Sequence, residues 1–299
     1  MEDEKIKSLA ARQCQLQSAM ATNASPKVLL LSASLVTLLV LSFISNVGAQ
    51  SSPTHHTKRN HGKFTPGPWS SAHATFYGGS GGSQTTAGAC GYSDTVSQGY
   101  GLQTAAVSST LYNNGNICGA CFEIKCIAKS SSSPQWCKSA QSSILVTATN
   151  WCPPNYALAS DNGGWCNPPR VHFDLSMPAF LQIAEYKAGI VPINYRRVPC
   201  RKQGGIRFTM NGHRYYVQVM VWNVGGAGDV QRVEVRGSKQ VWVSLRRDWG
   251  QRWVTGEDLT GQSLSFRVTT SDKRRSTSFN ITPQNWQFGQ TYEGKNFKY

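Results

Sequence analysis

The chain has 299 residues and carries 30 Lys and Arg against 15 Asp and Glu, a net charge of +15 at neutral pH. That balance favours acidic polymers or surfaces, but no RNA- or DNA-binding motif occurs and the cysteines are those of an exported chain, so nucleic acid is excluded as a partner. Chemistry by paired carboxylates has little to work with, because Gln50 to Cys200 offers only Asp94, Glu123, Asp161, Asp174 and Glu185.

In chain order a leader comes first. An apolar stretch from Val28 to Ile44 follows Lys27, and Val47-Gly48-Ala49 has the small-residue pattern of a signal-peptidase site. Residues 1–49 are therefore expected to be a signal peptide cleaved after Ala49. The 26 residues before Lys27 are long for a leader, and a start at Met20 would give the conventional length. A span of about 17 apolar residues is also the lower limit for crossing a bilayer, so a membrane anchor is the competing reading. Residues 50–68 are polar and proline-bearing and read as a flexible segment.

Of the nine cysteines, Cys14 precedes the apolar run. The remaining Cys90, Cys118, Cys121, Cys126, Cys137, Cys152, Cys166 and Cys200 form an even set, which in an exported chain reads as four disulfides. Cys118-Gly-Ala-Cys121 alone could be half a zinc site or a redox pair, but no His-rich cluster accompanies it. His73, His172 and His213 share no metal-ligand spacing, so no metal or other cofactor is expected. All eight cysteines fall before position 201, which divides the mature chain into a stapled domain, 69–200, and a cysteine-free one, 206–299, joined by the short linker 201–205. Both are basic, with 10 Lys and Arg against 5 acids from Gln50 to Cys200, and 16 against 7 from Arg201 onward.

In the first domain short strand-like runs, ATFY, CFEIKCIA, SILVTATNW and VHFDL, alternate with Gly, Ser, Asn and Pro. Only TAAVSSTLYNNG at 104–115 and PAFLQIAEYKAG at 178–189 look helical. Among the acids, Glu123 sits in an alternating strand between cysteines, Glu185 in the helical run, Asp161 before Asn-Gly-Gly and Asp94 in a loop. Asp174 is embedded in the aromatic and apolar VHFDLS, where burial would raise its pKa toward that of a useful acid. Its plainer reading is a cap on the helix after Pro178. A glycosidase would need a second carboxylate, and none is evident.

The second domain carries six or more short strand-like runs in about 100 residues, the pattern of a β-sandwich. Its aromatics include Tyr215, Tyr216, Trp222, Trp242, Trp249, Trp253, Phe266 and Trp286. Phe266 and Trp286 are assigned to the core, while Trp242 and Trp253 divide evenly between core and surface. Arg214, Arg246, Arg247 and Arg252 cluster near this row and are candidates for contact with an acidic polymer, the alternative being a solvated face. Asn280-Ile281-Thr282 is a glycosylation sequon.

HATFYGG at 73–79, GACGY at 88–92, NNGNICGACFEI at 113–124, TATNWCPPN at 147–155, GWCNPPRVHFDLS at 164–176 and GIVPINYRRVPC at 189–200 resemble the plant expansins. So do NVGGAGDV at 223–230, WGQRW at 249–253, GQSLSFRVTTSD at 261–272 and NWQFGQTYEG at 285–294; the cysteines and GGWCNPP are those of the alpha class. The resemblance implies an all-β chain of two domains: a double-psi β-barrel like that of family-45 endoglucanases, then an immunoglobulin-like β-sandwich carbohydrate-binding module. It puts the retained proton donor on Asp174, with Thr75, Tyr77 and His172 in the same groove. It puts Asn150, an amide that cannot act as a base, where some relatives have an aspartate. It implies the disulfides Cys90–Cys118, Cys121–Cys200, Cys126–Cys137 and Cys152–Cys166, and a sugar-stacking platform of Tyr215, Tyr216 and Trp249. A regular strand would turn Tyr215 and Tyr216 to opposite faces, so the chain has to bend there. One departure is Gly91-Tyr92-Ser93-Asp94 where the family usually reads GACGYGN, which makes Asp94 an extra acid, expected to be exposed.

The expected protein is a secreted, monomeric, non-hydrolytic loosener of the plant cell wall, acting at acidic pH on cellulose, xyloglucan and acidic pectin. Two alternatives stand: a weak β-1,4-glucanase using Asp174 with Asp94 as base, and a wall-binding or defence module without loosening activity.

Overall fold

The computed structural model describes residues 62–127, 136–138 and 142–298. The leader, its cleavage site and residues 50–61 lie outside the described residues. Within them no helix is long and apolar enough to cross a membrane. Residues 62–68 form no regular element, yet the end of the segment expected to be flexible is tied down: Gly67 N–H donates to Arg197 O at 2.9 Å, and the Arg197 guanidinium lies over Phe64.

Six strands close the first domain into a barrel: β1 (Ser70–Tyr77), β2 (Thr104–Ser108), β3 (Cys121–Cys126), β4 (Ser143–Cys152), β5 (His172–Ser176) and β6 (Val191–Val198), in the order β1-β5-β2-β4-β3-β6. The β1–β5 and β2–β4 pairs are parallel and the rest antiparallel. Strand alternation sends one set of side chains inward. Ala105 and Val107 of β2, Phe122 and Ile124 of β3, and Phe173 and Leu175 of β5 are all buried in one core, with Phe122 edge-on to Phe173 at 5.2 Å. The barrel is stapled by the four disulfides Cys90–Cys118, Cys121–Cys200, Cys126–Cys137 and Cys152–Cys166, the pairing that the resemblance implied.

Both helical expectations were too long. TAAVSSTLYNNG begins as the buried strand β2, and only its second half is helical, Ser109–Tyr112 (α1) followed by a 3-10 turn at Asn113–Gly115. β2 is the central strand between β5 and β4, so tertiary pairing overrides the helix-forming alanines. In the second run α2 is Met177–Ile183 and stops at Ala184, which turns extended to bridge Cys137. Ser176, not Asp174, caps α2, its Oγ accepting from Ala179 N–H at 3.3 Å. Asp174 is thereby left for other work.

The second domain contains β7 (Arg207–His213), β8 (Tyr216–Trp222), β9 (Val230–Arg236), β10 (Val243–Trp249), β11 (Arg252–Thr255), β12 (Ser265–Thr270), β13 (Arg275–Ser278) and β14 (Thr291–Glu293). They pair in the order β13-β12-β9-β10-β11-β8-β7-β14. β10 serves both halves: Val243–Leu245 pair with β9, while Arg246, Arg247 and Trp249 pair with β11. The sheet folds over at that strand, so that Phe208 of β7 stacks on Phe266 of β12 at 4.5 Å, and the result is a sandwich. Trp253 joins Phe266 and Trp286 in its core, which settles the even choice for Trp253.

The two domains share a buried seam. The loop after β10 enters the barrel beside the Cys90–Cys118 disulfide, where Gln251 N–H donates to Cys90 O and Gln251 Nε2 to Cys118 O, both at 2.8 Å. Gly250 is required there: it has φ +53°, and a Cβ would lie 2.3 Å from the backbone of Cys90. Arg247 donates to the carbonyls of Gly250 and Val230, and Arg197 of β6 pairs with the buried Asp229 at 2.9 Å.

Candidate functional site

The site is a row of side chains on the outer face of the barrel. Pairing places Thr75 of β1 opposite Asp174 of β5, Asp174 opposite Ala106 of β2, and Ala106 opposite Asn150 of β4. Directly paired residues share a face. Since Phe173 and Leu175 point into the core, Asp174 points out. Asn150 needs a further device. Ile144, Val146 and Ala148 face inward, and strict alternation would send Asn150 after them. The register slips between Ala105/Ala148 and Ala106/Asn150, so Thr149 is an extra residue and this bulge swings Asn150 onto the outer row. Ala106 between them is small enough to leave the row concave.

Thr75 Oγ donates to Asp174 Oδ1 at 2.8 Å and lies 2.8 Å from His172 Nε2. With the hydroxyl proton given to Asp174, Nε2–H of His172 is the donor to Thr75, and Nδ1 finds no partner among the described residues. Burial pulls the His172 pKa down to about 3, with His73 and Arg170 adding to the effect, so its imidazole is neutral. Burial pushes Asp174 up to about 6, against the opposing hydrogen bond from Thr75. Tyr77 lies one alternation beyond Thr75; burial raises its pKa, and its hydroxyl faces Asn150 without closing a hydrogen bond. The Asn150 amide is pinned, its Oδ1 accepting from the N–H groups of Ala89 and Trp151 at 2.8 Å each.

Two open hollows meet at Asp174. One of about 470 Å³ is lined by Thr75, Phe76, Trp165, Asp174 and residues 188–190. The other, of about 240 Å³, adds His172, Asn155 and the Cys152–Cys166 disulfide. Asp174 is the one carboxylate on either wall. The other four acids lie elsewhere. Asp94 is exposed and caps its own turn, accepting from Val96 and Ser97 N–H, and Glu123 is paired with Arg196 and Ser143. Asp161 and Glu185 are exposed. Trp165, which lines both hollows, escaped the sequence reading; its signal is a tryptophan fixed beside Cys166 in GGWCNPP.

The three aromatics expected to stack on sugar are at the surface. Tyr215, Tyr216 and Trp249 are 64%, 39% and 46% exposed. No strand bend is needed, because Tyr215 occupies the turn between β7 and β8 and Tyr216 opens β8 opposite His213. Tyr216 Oη and Gln218 Nε2 both donate to Asp248 Oδ2, at 3.0 and 3.1 Å. Arg252 ties this row to the barrel: it lies 5.1 Å from the Trp249 ring, and donates to Gln218 Oε1 and to Gly91 O in the loop that holds Asn150. Trp242, the other even choice, is half-buried between Arg236, Arg267 and Phe279.

Of the four arginines expected to meet acidic polymer, Arg247 is half-buried in the seam and Arg252 is committed as above. Arg214 pairs with Asp258 at 2.7 Å and Arg246 lies 4.0 Å from Asp248, but both side chains stay exposed. Charge clustering alone could not separate the two cases, since the barrel carbonyls that hold Arg247 and Arg252, those of Gly115 and Gly91, are distant in sequence. Asn280 is exposed, while Thr282 of its sequon is buried with its hydroxyl accepting from Leu264 N–H. Among the described residues no group of His, Cys, Asp or Glu could hold a metal ion.

A profile described as the Expansin C-terminal domain matches residues 206–283, and one described as lytic transglycolase, of the double-psi barrel type, matches 104–195. Expansin-A32 of Oryza sativa subsp. japonica is 58% identical over 262 residues, 87% of this chain and 96% of that protein. The chain belongs to the alpha-expansins. Expansin-A23 of Arabidopsis thaliana is 51% identical over 76% of this chain and 80% of its own length. Among solved structures, the apo expansin of Clavibacter michiganensis has a TM-score of 0.58 at 22% identity, covering 77% of this chain and 97% of that one. A point mutant of it in complex with cellohexaose has a TM-score of 0.56 at 21% identity, covering 76% and 96%. At these identities they establish the expansin fold alone: a double-psi barrel followed by a sandwich.

Proposed function

We propose that this alpha-expansin is exported to the plant cell wall and loosens it without hydrolysis. It would bind an extended β-1,4-glucan along the barrel groove and on the Tyr215–Tyr216–Trp249 platform, and compete for the contacts between cellulose and matrix glucans such as xyloglucan. The observation that carries this reading is the row Thr75–Asp174–Ala106–Asn150, in which the place across from the acid is taken by an amide. Glycoside hydrolysis needs one carboxyl group to protonate the leaving oxygen and another to attack or to activate water. Asp174 alone can bind and polarise a sugar hydroxyl or glycosidic oxygen, and its protonated form, populated below about pH 6, is the hydrogen-bond donor. The sugar-binding part draws support from the Clavibacter michiganensis relative, whose mutant was solved with cellohexaose.

The test uses purified protein on heat-killed wall strips under constant load at acidic pH, with extension and released reducing ends recorded on the same strip. Extension without sugar is expected. Sugar released in proportion to extension would overturn the non-hydrolytic reading and make Asp94 the first base to examine.

A further inference from the structure

Arg170 is the positive charge that the groove has not used. It ends the loop between the Cys152–Cys166 disulfide and β5, and its guanidinium lies 5.5 Å from the ring of Trp165, the residue shared by both hollows at Asp174. Its backbone is fixed, with N–H donating to Asn167 O and C=O accepting from Ser108 Oγ. The guanidinium itself pairs with no carboxylate among the described residues, in contrast to Arg196, Arg197, Arg207, Arg214, Arg232 and Arg274.

On its far side Arg170 lines a third hollow of about 370 Å³, together with Ser71, His73 and Ile127. That hollow shares no lining residue with the two at Asp174 but lies along the same β1–β5 strand pair. His73 is the register partner of His172, one alternation from the Thr75–Asp174 pair, so the wall runs from Asp174 through His172 to His73 and Arg170. The cavity therefore lies beside the groove and offers a half-buried cation with no carboxylate partner among the described residues.

We propose that this hollow is a uronate subsite: Arg170 receives the carboxylate of an acidic sugar in a matrix polysaccharide whose neighbouring units lie at Asp174. A guanidinium suits the role because its fork of donors matches a carboxylate in bidentate geometry. The proposal rests on the groove being the glycan site. It also adds a place for acidic polymer at the end of the barrel, apart from the exposed sandwich arginines Arg214 and Arg246. The uronate could belong to the backbone, as in a galacturonan, or to a side branch, as in a glucuronoxylan.

The test measures binding of tetragalacturonate, a glucuronic-acid-branched xylo-oligosaccharide and cellohexaose by titration calorimetry, on the wild type and on Arg170→Gln and Arg170→Lys. At low salt the ratio of acidic to neutral affinity is expected to fall about tenfold in Arg170→Gln and to be partly restored in Arg170→Lys. Whichever acidic probe shows the change identifies backbone or branch as the source. An unchanged ratio for both probes overturns the subsite. Loss of all three ligands together with a lowered melting temperature also overturns it, making Arg170 a prop for Trp165. If cellohexaose fails on the wild type while an acidic probe depends on Arg170, the groove reading fails and the subsite stands.

Discussion

Thr75 donates its hydroxyl proton to Asp174 at 2.8 Å across a parallel strand pair, so the acid is held by a neighbour that favours its charged form while burial disfavours it. Removing the donor leaves burial unopposed. Thr75→Val is expected to raise the Asp174 pKa further above 6, by about one unit. Carboxyl-carbon NMR titration reads this directly, and an unmoved midpoint would mean that the hydroxyl has no electrostatic hold on the acid.

The raised pKa makes a stability statement. A carboxyl that titrates near 3.8 in the unfolded chain and near 6 in the folded one contributes stability that is full below about pH 4 and is lost as pH rises through 6. The loss amounts to about 2–3 kcal/mol at neutral pH. Asp174→Asn, which carries no charge to bury, is expected to match the wild type at pH 4 and to exceed it by about that amount at pH 7.5. Denaturant titrations at the two pH values test this.

The same substitution bears on activity. If the protonated acid is the working form, wall extension by the wild type falls as pH rises past 6, while Asp174→Asn keeps measurable activity with no such fall. Complete inactivity of Asp174→Asn at every pH would show that a neutral group of the same shape is not enough.

Arg247 bears on the seam. Burial lowers its pKa to about 10, which leaves it charged, and it donates to the carbonyls of the buried residues Val230 and Gly250. Arg247→Ala is expected to cost about 3 kcal/mol. Calorimetric melting should then separate into a sandwich transition and a barrel transition.

On the platform, Trp249→Ala is expected to weaken cellulose binding about thirtyfold. Tyr215→Ala should cost less, since Tyr215 sits in a turn with 64% exposure. Equal losses in a pull-down isotherm would mean that the three rings act as one surface.

Much of this was legible before any coordinates. VHFDLS carries its own alternation, with Phe173 and Leu175 inward and Asp174 outward, and the cysteines mark one domain by their limits. What escaped was decided by long-range pairing. Asn150 breaks the alternation of β4, and a bulge leaves no trace in composition. TAAVSSTLYNNG reads as a helix because alanines favour one, until two neighbouring strands claim it. Arg247 and Arg252 look like surface charge because each reaches, besides partners in its own domain, a barrel carbonyl far away in sequence, Gly115 and Gly91 respectively. Trp165 was overlooked because a single tryptophan beside a cysteine has no period at all.

The seam of Gly250, Gln251 and Arg247 has a further consequence. Backbone meets backbone there, so the barrel and the sandwich cannot open and close like jaws around a polymer. Asp174 and Trp249 are thereby held at one separation. If a single glucan occupies both, as proposed, it has to fit that spacing as it finds it. The yielding partner is then the polymer, and the protein is the gauge it is measured against.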